Sequence, residues 1–236
     1  MAKYRFAFSY SRWALWKQCP AAYKYKNIDK LPEPASPAME RGRKVHDDVA
    51  NYVDNKRDDR PKVLDRFTML ADGIRRVAPE NKLVEGQLAF DRDFKRCDWF
   101  GPNAYTRFIW DAAIWDDQRR EMNAVDWKTG QPRGSYDDQM QIFAMPAYWT
   151  LPNLESFTGH LVYLDHGDSV AYPIDRATWF GAQGDPARKD GYYGMWLDNI
   201  ARFEADTTFA PTPSFDACKF CKFKTAKGGP CQVSAC

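Results

Sequence analysis

The stretch from Phe108 to Phe143 constrains this chain most, because it places charged residues at fixed spacing inside apolar, β-prone segments. It reads FIWDAAIWDD, then MNAVDWKTG, then YDDQMQIF. The first two segments are rich in Ile, Val and aromatics and predict neighbouring strands joined by a polar turn around 116–123. Asp111 lies in the first, and Asp126 follows after fourteen intervening residues. Residues two apart in a strand share a face, so Asp126 and Lys128 project together while Trp127 points into the opposite layer. Pairing of the two strands brings Asp111 beside Asp126, with the lysine at their edge.

Two neighbouring carboxylates repel, and a hard divalent cation such as Mg²⁺ or Mn²⁺ relieves that repulsion by taking oxygen ligands from both. Such a metal polarises a phosphoryl oxygen and lowers the pKa of bound water, while an adjacent ammonium stabilises developing charge. This is the chemistry of phosphodiester hydrolysis. A bare acid-x-Lys match also arises on an exposed hairpin, so the flanking residues decide.

Upstream, SYSRWALWKQCPAAYKY opens on a serine cap and predicts a short helix stopped near Pro20, with Cys19 at its end. The proline-rich LPEPASPAMERG predicts a loop or lid. From Met39 to about Lys56, Val45, Val49 and Val53 recur every four residues and define a helix whose apolar stripe has His46 at its margin. Residues 61–80 predict a second helix ended by Pro79. LVEGQLAFDRDF alternates as a strand, and Glu85 can face the pocket of Asp111 or stand as an ordinary exposed acid. Downstream, YDDQMQIFAMPAYWTL is a helix bringing Gln139 near Lys128, GHLVYLDHGDSVAYPI a hairpin turning at 166–168, and YYGMWLDNIARFEAD a late helix. The order describes an α/β protein with a mixed central sheet flanked by helices.

The end of the chain holds four of six cysteines, Cys218, Cys221, Cys231 and Cys236. A pair separated by two residues, Cys218 and Cys221, converges on one metal or iron–sulfur centre. The fourth ligand beside the first three is either Cys236, in a zinc knuckle, or Cys19. Lys and Arg number 34 against 32 Asp and Glu, a net charge of +2, so any nucleic-acid surface is local. No apolar run reaches membrane-span length and MAKYRFAFSY lacks a secretion core, which predicts a cytoplasmic protein without membrane attachment.

Taken in order, Cys19-Pro20, GRKVH ending at His46, VEGQ with Glu85, IWDAAIW with Asp111, VDWKTG with Asp126 and Lys128, QMQIF with Gln139, and the cysteine tail resemble the PD-(D/E)XK nuclease superfamily. More narrowly they resemble RecB-like exonucleases, including CRISPR-associated and AddB-type iron–sulfur members. The resemblance implies one restriction-endonuclease-like domain over 1–236. Within it, 1–38 and 210–236 would form an iron–sulfur subdomain holding a four-iron four-sulfur cluster on Cys19, Cys218, Cys221 and Cys231. It implies a divalent metal on His46, Asp111, Asp126 and the Trp127 carbonyl, with Glu85 nearby, Lys128 assisting water and Gln139 supporting the site. The activity implied is metal-dependent deoxyribonuclease, on single-stranded DNA from an end, in recombination, repair or CRISPR or phage DNA processing. A helicase or a recombination or CRISPR protein would be its partner. Two other readings are a DNA-binding protein that keeps the fold without cleavage, and a phosphoesterase for small substrates. The chain departs from the family pattern at Phe108, where a glycine is common, at Phe143, where a tyrosine is usual, and in the long gap from Cys221 to Cys231, which leaves Cys236 and zinc as rivals.

Overall fold

The structure, a computed structural model, describes residues 6–33, 35–132, 136–233 and 235. Two compact units divide the chain: 36–196 form one, and the two chain ends, 1–35 and 197–236, form the other.

The unit of residues 36–196 is built on a six-stranded sheet. Its strands are β1 (Lys82–Phe90), β2 (Arg96–Cys97), β3 (Thr106–Asp116), β4 (Glu121–Lys128), β5 (Ser156–Tyr163) and β6 (Asp168–Asp175), in the order β2-β1-β3-β4-β5-β6. All neighbours pair antiparallel except β4 and β5, which are parallel. A parallel pair needs a crossover. The helix Asp137–Thr150 lies between those two strands in the chain and supplies it.

The predicted helix at Met39 begins earlier. It runs Pro37–Val53, with Pro37 at its first position and the Ser36 hydroxyl accepting from the Met39 amide at 3.3 Å, so the last residues of the expected lid are already helical. Its Val49 and Val53 pack with Leu64, Ala71 and Ile74 against Ala112, Val125, Trp127 and Val162 of the sheet. Trp127 thus points into the core, as strand alternation requires. The helix expected over 61–80 is two pieces, a 3-10 turn Lys62–Phe67 and an α-helix Thr68–Arg76. Phe67 breaks it at φ −122°, ψ 25°. Pro79 keeps Ala78 out of the helical region, and the helix has already stopped at Arg76. Buried Lys82 ties the ends of both helices, donating to the carbonyls of Val53 at 3.0 Å and Arg75 at 3.3 Å. Burial lowers its pKa.

The unit formed by the chain ends has an aromatic core. Phe203 is ringed by Phe6, Phe8, Trp16 and Tyr23 with centroids 4.8–6.4 Å away. Trp16 donates to Asp206 at 2.7 Å and Thr212 to the Gln18 carbonyl at 2.9 Å, so both ends of the chain belong to it. The first helix stops before Pro20, as expected, but a second begins at it. The helix Tyr10–Gln18 ends at extended Cys19, and Pro20 opens a second helical run as its first residue, continued by a π-turn to Ile28. Ser9 stands at the first helix's N-cap position but makes no capping bond.

Candidate active site

Three acids stand on one rung of the sheet. The β1–β3 register pairs Val84 with Ala112 and Gly86 with Trp110, which sets Glu85 across from Asp111. The β3–β4 register ends at Ala112 with Val125, so Asp111 and Asp126 are the next facing positions. Both ladders are interrupted where Asp111 sits. On one side Glu85 has φ +49°, a left-handed backbone that costs energy for a residue with a side chain. On the other, the Trp127 amide donates to Asp111 Oδ2 at 2.7 Å.

His46 comes to this rung from its helix, Nδ1 3.4 Å from Asp111 Oδ2. Gly42, one helical turn earlier, makes the approach close: a Cβ there would lie 3.1 Å from Thr129 Oγ1. Ligand atoms of His46, Glu85 and Asp111 all lie within 4.8 Å of one another, a group that can hold a metal ion. The Asp111 carboxylate raises the His46 pKa against the effect of burial. Partial burial, and then the charge of Asp111, raises that of Glu85.

Asp126 is buried, 7% exposed, and burial pushes its pKa up to about 6 despite the opposing pull of Lys128. Its two oxygens have different surroundings. Oδ1 accepts from Gln139 Nε2 at 2.9 Å. Oδ2 lies 2.6 Å from Lys128 Nζ, but off the direction of a hydrogen bond, and is a buried acceptor without a hydrogen-bond donor. Lys128 directs its bond to Gln139 Oε1 at 3.1 Å instead. An anionic oxygen left in this way beside a group of three ligands fits a divalent cation, which prefers hard oxygen donors. His46, Glu85, Asp111, Asp126, Lys128 and Gln139 therefore lie near one another, and of the two readings of Glu85 its place across from Asp111 is the one the register gives. The Trp127 contact that the structure gives is through its amide.

Three contacts had little or no sequence signal. The Tyr136 ring lies 5.2 Å from Lys128 Nζ, and its only sequence mark is an aromatic three residues before Gln139. Arg41 makes a two-pronged pair with Asp165 at 2.6 and 2.9 Å, and the Gly130 amide donates to the same carboxylate at 2.9 Å. Together these fasten the His46 helix and the turn after Lys128 to the end of β5. Arg41 holds the Asp165 carboxyl below the usual range.

In the chain-end unit, Cys19, Cys218, Cys221 and Cys231 line one pocket with Ala22, Tyr25 and Phe223. All four are free thiols. Amides donate to two of the sulfurs, Phe223 to Cys221 at 3.4 Å and Ala235 to Cys218 at 3.3 Å. Burial raises the Cys221 pKa, the Phe223 amide opposes, and the other three cysteines raise it further. Among the described residues these cysteines form no group of three with sulfurs within 4.8 Å of one another. Cys236 lies outside the described residues.

The PD-(D/E)XK nuclease superfamily profile matches residues 7–101. The matched stretch contains Cys19, His46 and Glu85, and Asp111, Asp126 and Lys128 lie beyond it. A solved structure titled "Crystal structure of SSO0001" aligns over 100% of this chain and 91% of that one, at 14% identity and a TM-score of 0.47. No curated protein matches the chain. The superfamily points to metal-dependent nuclease chemistry. Among the described residues no helix is long and apolar enough to cross a membrane.

Proposed function

We propose that this protein is a Mg²⁺- or Mn²⁺-dependent deoxyribonuclease that shortens single-stranded DNA from an end, in DNA recombination, repair or CRISPR or phage DNA processing. One observation carries the reading: three carboxylates share a sheet rung with a histidine above them and a lysine two residues from the most buried acid. Such a rung without a cation is self-repelling, and Asp126 Oδ2, now held only by the Lys128 ion pair, would supply a further ligand. His46, Glu85, Asp111 and Asp126 would hold the ion, with the Trp127 carbonyl as a further ligand. When bound, the ion polarises a phosphoryl oxygen and acidifies water. The chain's own groups do the positioning. Gln139 bonds both Asp126 and Lys128 and so fixes the distance between acid and ammonium. Trp127 fixes Asp111 through its amide. Lys128, with the Tyr136 ring beside it, presents positive charge to an attacking water and to the phosphate.

We further propose that Cys19, Cys218, Cys221 and Cys231 hold a four-iron four-sulfur cluster. The four cysteines line one pocket, and amide donors to two of the sulfurs suit such a cluster.

The test is digestion of end-labelled single-stranded DNA in Mn²⁺ by wild type, Asp126→Ala and Lys128→Ala. Progressive shortening by wild type, with loss of at least a hundredfold in each variant, is expected. Full activity in either variant sinks the assignment. Tight DNA binding by a wild type that cuts nothing moves the protein to a binding role, and turnover confined to small phosphoesters moves it to another hydrolase class.

A further inference from the structure

His46 sits in the part of its helix that the core does not hold. The buried residues of Pro37–Val53 are Val49, Tyr52 and Val53, all of them after the histidine. Every residue from 37 to 45 is exposed or half-buried. At 1.5 Å per residue that stretch extends about 13 Å ahead of His46. Its alignment over the acidic rung therefore depends on what touches it from outside the helix.

The end of β4 is what touches it. Arg41 lays both prongs of its guanidinium on Asp165, Nη2 at 2.6 Å from Oδ1 and Nη1 at 2.9 Å from Oδ2, and the Gly130 amide donates to that same Oδ2 at 2.9 Å. Gly130 has φ +98°, a backbone that favours glycine. The Leu164 amide donates to the Lys128 carbonyl at 2.9 Å, so Asp165 is itself tied to the strand end that carries the lysine. Beside Arg41, Gly42 comes close to Thr129, where a Cβ would lie 3.1 Å from Oγ1. Gly42 and His46 are four apart and share a helix face, so the face held against Thr129 is the one that presents the histidine to Asp111. The Arg41 and Asp165 side chains are 54% and 25% exposed, and a pair this exposed adds little to stability. Its effect is geometric, because a planar fork on a carboxylate fixes both distance and angle.

We propose that Arg41 and Asp165 are positioning residues: their pair holds the weakly packed half of helix Pro37–Val53 against the end of β4 and so fixes His46 over the acidic rung relative to Lys128. That His46 ligates a cation there rests on the nuclease reading above; the hold on the helix does not.

Two measurements on the full chain test this, each with wild type, Arg41→Ala, Asp165→Ala and the double variant. In metal-free protein, hydrogen exchange of amides 41–47 should be about tenfold faster in every variant, with amides 49–53 unchanged, which also shows that the variants remain folded. In calorimetric titration with Mn²⁺ and no DNA, each single variant and the double should bind about tenfold more weakly than wild type and by one common factor, since two halves of one pair fail together. On a His46→Ala background, Asp165→Ala should cost nothing further, which a general loosening of the site would not give. Unchanged exchange, or a wild type that binds Mn²⁺ no better than the single variants, overturns the positioning role and leaves the nuclease reading in place. A wild type that binds no Mn²⁺ at all removes the nuclease reading and the positioning role with it.

Discussion

Asp126 shows how the acidic rung burdens stability. Its folded-state pKa of about 6 lies above the usual carboxylate value near 3.9, so the native protein binds this proton more readily than the unfolded chain. In metal-free protein the carboxylate thus costs stability above pH 6, and the cost fades as pH falls through 6 towards 4. Asp126→Asn keeps the shape and an acceptor but removes the charge. It should raise the stability of chelator-treated protein at pH 8 by on the order of 1–3 kcal/mol, with the gain absent near pH 4. Thermal melts at both pH values in chelator would show it, and a lower melting temperature for the variant at pH 8 would refute the buried-charge account. Asp165 has the opposite sign. Arg41 depresses its pKa, so its contribution is present above the unfolded value near 3.9 and is lost as pH falls through the lower folded value. Asp165→Asn should therefore weaken the protein at pH 7, by about 1 kcal/mol for a partly exposed pair, with the effect shrinking as pH falls through the lowered folded value. Equal melting of variant and wild type at pH 7 would show that the clamp contributes nothing.

The helix Asp137–Thr150 sets Gln139 against Asp126, and its fit depends on one glycine. A Cβ on Gly159 of β5 would fall 2.7 Å from Met140 Sδ, and Met140 is only 1% exposed. Gly159→Val suits strand propensity yet pushes this helix off the sheet, at a cost of about 1–3 kcal/mol. Because Met140 follows Gln139, cleavage should fall together with melting temperature, at roughly 2–4 °C for each kcal/mol. Unchanged rate and melting would mean that the helix position tolerates the shift. Periodicity revealed elements of this kind unevenly. Helix Pro37–Val53 was legible because its valines recur every four residues, and β4 because Asp126 and Lys128 alternate with Trp127. The break at Phe67 was not, since the apolar stripe runs through both pieces and only the backbone angles differ. The stop before Pro20 was legible, since the first helix ends at Gln18, but the restart of helix at Pro20 itself was not. Spacing put Asp111, Asp126 and Lys128 together, whereas His46 and Glu85 came from the ordered resemblance, and the left-handed turn at Glu85 has no mark in a sequence that reads as plain alternation.

The chain ends meet in one unit, although nearly the whole length of the protein separates them. A centre joining Cys19 to Cys218 closes a loop of about 200 residues, and restricting a loop of that size in the unfolded chain is worth about 5 kcal/mol by the chain-entropy account. Aromatic packing on Phe203 and the Trp16–Asp206 and Thr212–Gln18 bonds hold the ends without any metal, so loss of the centre should destabilise this unit rather than dissolve it. Cys218→Ser is the direct probe because Cys218 is the most deeply buried of the four cysteines and accepts the Ala235 amide. Anaerobically purified wild type should carry about four irons and four sulfides and be brown. The variant should lose that colour and melt about 10 °C lower or more, taking roughly 2–4 °C for each kcal/mol. Cys97, which lies on β2 in the other unit and outside this pocket, is the control: Cys97→Ser should retain iron and melting temperature. A colourless wild type containing one zinc would replace the cluster with a mononuclear site. A wild type free of both metals, melting with Cys218→Ser at the same temperature, would leave the four cysteines as packing groups and the two chain ends held by their aromatic core.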